Sequence, residues 1–166
     1  AESLYAQAET TWRTLFGSTH PKLANALIGL ARLRALRGDL AGAREFVSQA
    51  LDVRRDRLGA DHPETIIAEM ILAQLAGRQG EPSAIKNGRA ALENLTRLLG
   101  DHHGRTLWAK ECMAEILECS GDLDSAAALF RESIESERSR GRQFDPVLCD
   151  ALVGLARCLM KNDMDS

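Results

Sequence analysis

Residues 17–58 read GSTHPKLANALIGLARLRALRGDLAGAREFVSQALDVRRDRL, and this stretch decides the fold of the chain. A short loop is followed by a segment with apolar residues at three-to-four spacing, then by Gly38 and a second such segment. Pro21 suits the first turn of a helix, where its missing N–H costs nothing, and Gly38 suits the end of one. The stretch therefore predicts two antiparallel helices joined by a tight turn.

The same arrangement returns along the chain with a period of 41 or 42 residues. The loop that precedes each first helix recurs as His20-Pro21, His62-Pro63, His103-Gly104 and Asp145-Pro146. The inner turn recurs in step at Gly38, Gly80, Gly121 and Asn162. Two landmarks that keep one period indicate a repeat protein. The residue before each first helix, His20, His62, His103 or Asp145, is where an N-cap acceptor is expected.

The period predicts an all-α chain of about eight helices, in which each repeat has a first and a second helix. We expect an α-solenoid, a right-handed superhelix in which neighbouring repeats bury one another's apolar faces. The expected bounds are a second helix alone at 1–16, whole repeats at 21–58, 63–99 and 104–140, and a first helix alone at 146–161. Because this pattern is cut in the inner turn at both ends, it favours a piece of a longer protein.

Composition supports stacked helices and excludes several functional classes. Hydrophobic residues make up 45% of the chain and aromatic residues only 4%, so alanine and leucine must supply most of the burial. The net charge of −3, with both signs interspersed, does not fit a basic nucleic-acid surface or a polybasic membrane face. No apolar run of about 18 residues and no signal-peptide pattern occurs.

The residues that could carry chemistry do not form a recognisable site. Asp101, His102 and His103 are adjacent on a loop, which suits a metal ion poorly, and His103 already has a place in the repeat. The four cysteines show no Cys-x-x-Cys spacing, so we expect free thiols in a reducing, cytoplasmic compartment. No acid–base pair, nucleophile motif or phosphate-binding loop is present. The sequence predicts no metal, no cofactor and no enzyme activity.

The spacing of leucine, alanine and glycine resembles that of the tetratricopeptide repeat. Leu27-x-x-Leu30-Ala31 is followed by Gly38 and then by Ala43 and Ala50, and Leu152-x-x-Leu155-Ala156 repeats the start of this pattern. The long period and the LG-x-x-HP joint at residues 58–63 are similar to the 42-residue variety in kinesin light chains and in bacterial signalling proteins. Kinesin light chains carry asparagines just before the Leu-Ala pair, whereas this chain has other residues there. The resemblance therefore does not imply a kinesin-like cargo specificity.

The resemblance implies a concave groove lined by the first helices, which binds a peptide or protein segment. Carried over from the family pattern, the expected groove residues are Asn25, Ile28, Arg32, Ile67, Met70, Ile71, Gln74, Arg78, Trp108, Glu111, Glu115, Asp150 and Arg157. The same alignment also reaches Gly29, Leu36, Cys112, Glu118, Val153, Gly154 and Lys161. Apolar positions between separated charges fit a peptide of mixed charge. The alternative for Trp108 and for Met70 is packing within the repeats.

The expected partner is a protein or peptide, with no nucleic acid and no membrane. Two other functions stay open from the sequence. The chain could be a regulatory segment of a larger signalling enzyme, such as a bacterial Ser/Thr protein kinase. It could also self-associate weakly through exposed terminal helices.

Overall fold

The structure is a computed structural model that describes residues 20–139 and 146–164, together with residues 3, 4, 7, 10, 11 and 14. Within the two long ranges it contains the helices α1 (Pro21–Leu36), α2 (Leu40–Leu58), α3 (Pro63–Arg78), α4 (Ser83–Leu99), α5 (Gly104–Ser120), α6 (Leu123–Ser139) and α7 (Pro146–Met164). No strand occurs in these ranges. The all-α prediction is confirmed. The helix expected over 1–16 lies mostly outside the described residues and stays a prediction.

Three of the helices begin at a histidine that caps the first turn. The Nδ1 atoms of His20, His62 and His103 each accept a backbone N–H from the residue two positions later, at 3.2 Å. An imidazole nitrogen with a free lone pair thus replaces the usual hydroxyl or carboxylate oxygen of an N-cap. The expected acceptors are confirmed at these three positions, and Asp145 lies outside the described residues.

The inner turns depend on glycine in the left-handed region. Gly38, Gly80 and Gly121 have φ values of 83°, 73° and 88°, which a residue with a side chain adopts only with strain. The prediction of a fourth turn at Asn162 is wrong, because α7 continues to Met164. Without a glycine to reverse the backbone, this segment keeps its helical conformation.

The chain divides into two compact units. The first, Ala1–Leu75, holds α1, α2 and most of α3, and its core joins Ala31 of α1, Ala43 and Val47 of α2, and Ala68 and Leu75 of α3. Each of these side chains is buried. Since four of the five are alanine or valine, the helices can approach closely, as the low aromatic content predicts.

The second unit, Ala76–Ser166, contains the last residues of α3 and the helices α4 to α7. In it α6 packs against both α5 and α7, and α5 also contacts α7. The ring of Phe130 on α6 is buried against Gly154 on α7, where a Cβ atom would overlap the ring. Gly154 was expected in the groove, but it is buried because it makes room for this ring.

We predict that Gly154→Ala destabilises the chain by about 2 kcal/mol, because the added methyl group must displace Phe130. Gly104→Ala is the matched control. A Cβ atom at Gly104 meets nothing within 4 Å, so this variant should leave stability unchanged or raise it by about 0.5 kcal/mol. Urea denaturation followed by circular dichroism measures both. Equal stability of the two variants would contradict the close packing of α6 on α7.

Candidate functional site

Two partly exposed isoleucines and one exposed charge lie on the first helices of the first unit. Ile28 on α1 and Ile71 on α3 are half-buried, and both pack against the core of this unit. Arg32 lies one helical turn after Ile28, is exposed, and makes no hydrogen bond or ion pair with the residues that the structure describes. We call Ile28, Arg32 and Ile71 the α1–α3 patch. Its residues were all expected in the groove.

A buried arginine accounts for another expected groove residue, Asn25. Arg54 on α2 donates to the Asn25 Oδ1 at 3.1 Å and to the backbone oxygen of Glu64 at 2.6 Å. It also pairs with the Glu64 carboxylate at 2.9 Å. A buried guanidinium needs several such acceptors to offset its loss of hydration. Asn25 is therefore part of the joint between α1, α2 and the first turn of α3.

The other expected residues of the first unit differ in exposure. Met70 is fully buried, so it fills the core and offers no surface to a ligand. Ile67 and Gln74 are half-buried. The structure thus favours packing as the role of Met70, the alternative that its flexible, apolar side chain suggested.

Three charged residues that were expected in the groove of the second unit form an ion-pair cluster instead. The Glu118 side chain on α5 is 8% exposed and lies between two cations of α7. Its carboxylate oxygens lie 2.9 Å from Arg157 Nη2 and 2.8 Å from Lys161 Nζ. The predicted groove residue Arg157 is therefore already paired within the protein.

The cluster shifts the ionisation of all three groups. Burial raises the pKa of Glu118, but the hydrogen bonds from Arg157 and Lys161 outweigh it, so the pKa lies below its ordinary value. The hydrogen bonds to Glu118 raise the pKa of Arg157 and of Lys161. The cluster is fully charged at neutral pH and ties α5 to α7.

The remaining expected groove residues of the second unit range from buried to exposed. Glu111 is buried, Trp108 and Glu115 are half-buried, and Arg78 and Asp150 are exposed. Trp108 is the one aromatic residue among the expected groove residues, and part of its side chain is exposed to solvent.

Sequence reasoning missed Lys110, a buried lysine on α5. Its Nζ lies 2.9 Å from Asp101 Oδ1 and 2.7 Å from Glu132 Oε1, beside a cleft of about 500 Å³ that Leu92 and Leu129 also line. Burial lowers the pKa of Lys110, but the hydrogen bonds to Glu132 and Asp101 outweigh it, and the pKa is raised. The sequence did contain a signal for this residue. Lys110 occupies the position of the first leucine in the Leu-x-x-Leu-Ala pattern, which is Leu27 and Leu152 in other repeats.

No chemical centre emerges from the described part of the chain. It contains no group of three or more His, Cys, Asp or Glu residues that could hold a metal ion. Cys112 and Cys158 are buried thiols, and Cys119 and Cys149 are exposed ones. Burial, with the charge of Glu118 second, raises the pKa of Cys119 and of Cys158, which disfavours the reactive thiolate. No described helix is both long enough and apolar enough to span a membrane.

Comparison with known proteins gives a family match for the first third of the chain and shows its fold. A family model described as Tetratricopeptide repeat matches residues 1–56. Among solved structures, a candidate kinesin light chain from Podosopora anserina with nearly identical TPR-like repeats is 20% identical, with a TM-score of 0.66 over 98% of this chain and 78% of that one. BtubC (BKLC) from P. vanneervenii is 22% identical, with a TM-score of 0.72 over 95% of this chain and 63% of that one. No curated protein matches the sequence.

Residues 1–56 therefore match the tetratricopeptide repeat, and the chain has the fold of repeat proteins of this kind, as the sequence pattern predicts. At these identities the likeness to solved structures shows the fold alone. Repeats of this kind are generally protein–protein interaction modules and typically non-catalytic scaffolds.

We predict that Glu118→Gln lowers the free energy of unfolding by about 1 kcal/mol at neutral pH, since Arg157 and Lys161 are half-exposed and partly screened. Because folding lowers the pKa of Glu118, its contribution is present above the unfolded pKa and is lost as pH falls. The difference between wild type and variant should therefore shrink below about pH 4.

Glu135→Gln is the control, because Glu135 is exposed on α6 and makes no ion pair with the described residues. Urea unfolding at neutral and acidic pH should show no pH-dependent difference for this variant. A Glu118→Gln effect that stays constant with pH would contradict the ionised cluster.

Proposed function

We propose that the chain is a non-enzymatic module that binds a peptide or protein segment on the exposed faces of its first helices. The observation that carries this proposal is the α1–α3 patch. Two half-exposed isoleucines lie on the edge of the core, and a nearby arginine has no partner among the described residues. Apolar surface beside an available charge is the usual composition of a peptide-binding surface.

The patch defines the chemistry of the segment that would bind there. An apolar side chain of the partner can cover Ile28 and Ile71, and a carboxylate can pair with the Arg32 guanidinium through two parallel hydrogen bonds. The expected ligand is therefore a short acidic–apolar segment. We expect micromolar affinity, because ordering a short peptide offsets much of the contact energy.

In the second unit the proposal rests on Trp108 more than on charge. Arg157 and Lys161 are held by Glu118, whereas the indole is partly exposed on α5. Tryptophan contributes strongly at binding surfaces because it offers a large, rigid contact area. The four free thiols support a reducing compartment, and we place the protein in the cytoplasm on that ground.

The test is a selection of random peptides on the immobilised chain, followed by affinity measurements with purified variants. Selected peptides should share an acidic residue near a large apolar one. Arg32→Glu should weaken their binding about tenfold or more, because like charges then oppose each other. Ile71→Ala should weaken binding as well, through lost apolar contact.

Lys22→Glu is the matched control, since Lys22 is an exposed cation at the start of the same helix. It should bind the peptides as the wild type does. Failure to enrich any peptide, or equal losses with Lys22→Glu and Arg32→Glu, would overturn the proposal.

A further inference from the structure

Two clefts open side by side between α4 and α6 in the second unit. One is the cleft of about 500 Å³ beside Lys110, and the other, of about 380 Å³, lies nearer the first turns of the two helices. Leu92, Glu93 and Leu129 line both clefts, so together they form one continuous groove. We call it the α4–α6 groove. Its walls belong to α4 and α6, and its floor belongs to α5.

The middle of the α4–α6 groove is apolar. Met113 and Leu117 of α5 are buried in its floor, and Leu92 and Leu129 are half-buried on its walls. Since α4 and α6 both pack on α5, the channel between them is open to solvent. Its lining on α4 extends from residue 89 to residue 97, about 12 Å at the rise of a helix. An apolar channel of this length fits about two turns of a partner helix.

One end of the groove carries carboxylates that the protein holds in place. Asp101 and Glu132 lie on either side of the buried Lys110, yet their side chains are 48% and 52% exposed. One ammonium balances only one of these two carboxylates. Glu93 adds a third, which makes no hydrogen bond or ion pair with the described residues. With Arg97 as the other cation, this end keeps a net negative charge.

The opposite end of the groove is cationic. Arg89 is exposed there and makes no hydrogen bond or ion pair with the residues that the structure describes. The surface that a ligand can reach is therefore negative near Lys110, apolar in the middle and positive near Arg89. This order of charge and apolar surface defines the partner that would complement it.

The groove is distinct from the surface on which the proposed function rests. Lys110, Met113 and Leu117 follow one another at helical spacing on the face of α5 beneath the groove. Trp108 lies about 200° round the same helix from Lys110. The sequence pattern placed no residue of this lining in the expected peptide groove, so the two surfaces are on different faces of the second unit.

We infer that the α4–α6 groove is a second docking surface, whose partner is a short helical segment with a lysine or arginine, large apolar residues and an acidic residue in that order. The basic group meets the carboxylates of Asp101 and Glu132. The apolar residues cover Leu92 and Leu129, and the acidic residue pairs with Arg89. Because Lys110 already fixes two of the carboxylates, binding has less side-chain freedom to remove.

The first test is a selection of random peptides on the immobilised 166-residue chain, followed by affinity measurements with synthetic peptides. We expect one group with the basic–apolar–acidic order, the charge-ordered peptides. Glu93→Arg should weaken their binding about tenfold or more, because it opposes the basic residue of the peptide with a like charge. Glu93 is exposed, and circular dichroism should show that the variant keeps its fold.

Glu45→Arg is the control, because Glu45 is an exposed glutamate on α2, outside the groove. It should bind the charge-ordered peptides as the wild type does, and so should Arg32→Glu. Absence of charge-ordered peptides, or equal losses with Glu45→Arg and Glu93→Arg, would overturn the inference. A loss with Arg32→Glu would also overturn it, by assigning these peptides to the α1–α3 patch, so the two proposals fail separately.

A second test examines the order of charges along the groove. In a charge-ordered peptide, lysine in place of the acidic residue should weaken binding to the wild type and restore it on Arg89→Glu, where opposite charges again face each other. Lys86→Glu is the matched control, since Lys86 is an exposed cation on α4 that does not line the groove. No recovery on Arg89→Glu, or equal recovery on Lys86→Glu, would overturn the proposed order.

Discussion

Close packing of alanine side chains between helices is the constraint on which the rest of the structure depends. Fully buried alanines occur in both units: Ala24, Ala43, Ala50, Ala68, Ala109, Ala114, Ala126 and Ala151. A methyl group keeps two helices near enough for many weak contacts, and it leaves no room for a longer side chain. One helix pair with so small a core buries little apolar surface, so its stability depends on the neighbouring helices.

This packing also decides which side chains are available for binding. Where the pattern departs from alanine and leucine, charges such as Arg54, Lys110 and Glu118 are buried, and each finds its partners inside the protein. Internal pairing limits the loss of hydration and fixes neighbouring helices, but it removes those charges from a ligand. Arg32 lies one helical turn from the half-buried Ile28 and has no such partner among the residues that the structure describes, which is why the proposed function rests on it.

The sequence predicts most of this fold, because helix periodicity, glycine turns and histidine caps are local features. It predicts the contacts less well. Met70 was expected in the groove but is buried, and Gly154 makes room for the Phe130 ring on another helix. Periodicity predicts which face of a helix a residue occupies, but not which side chain of a neighbouring helix packs against it. Glu118 and Arg157 are 39 residues apart, and no local rule pairs them. The predicted turn at Asn162 was wrong, because Asn162 keeps the spacing of the other turns but is not the glycine that reverses the backbone there.

The measurement that tests the central claim most directly is the unfolding free energy of Ala68→Leu, beside that of Ala41→Leu. Ala68 is fully buried among residues of α1 and α2, whereas Ala41 is exposed on α2. If close alanine packing holds the helices together, urea denaturation should show Ala68→Leu less stable than wild type by about 2 kcal/mol, and Ala41→Leu within about 0.5 kcal/mol of it. Equal stability of the two variants would contradict the account.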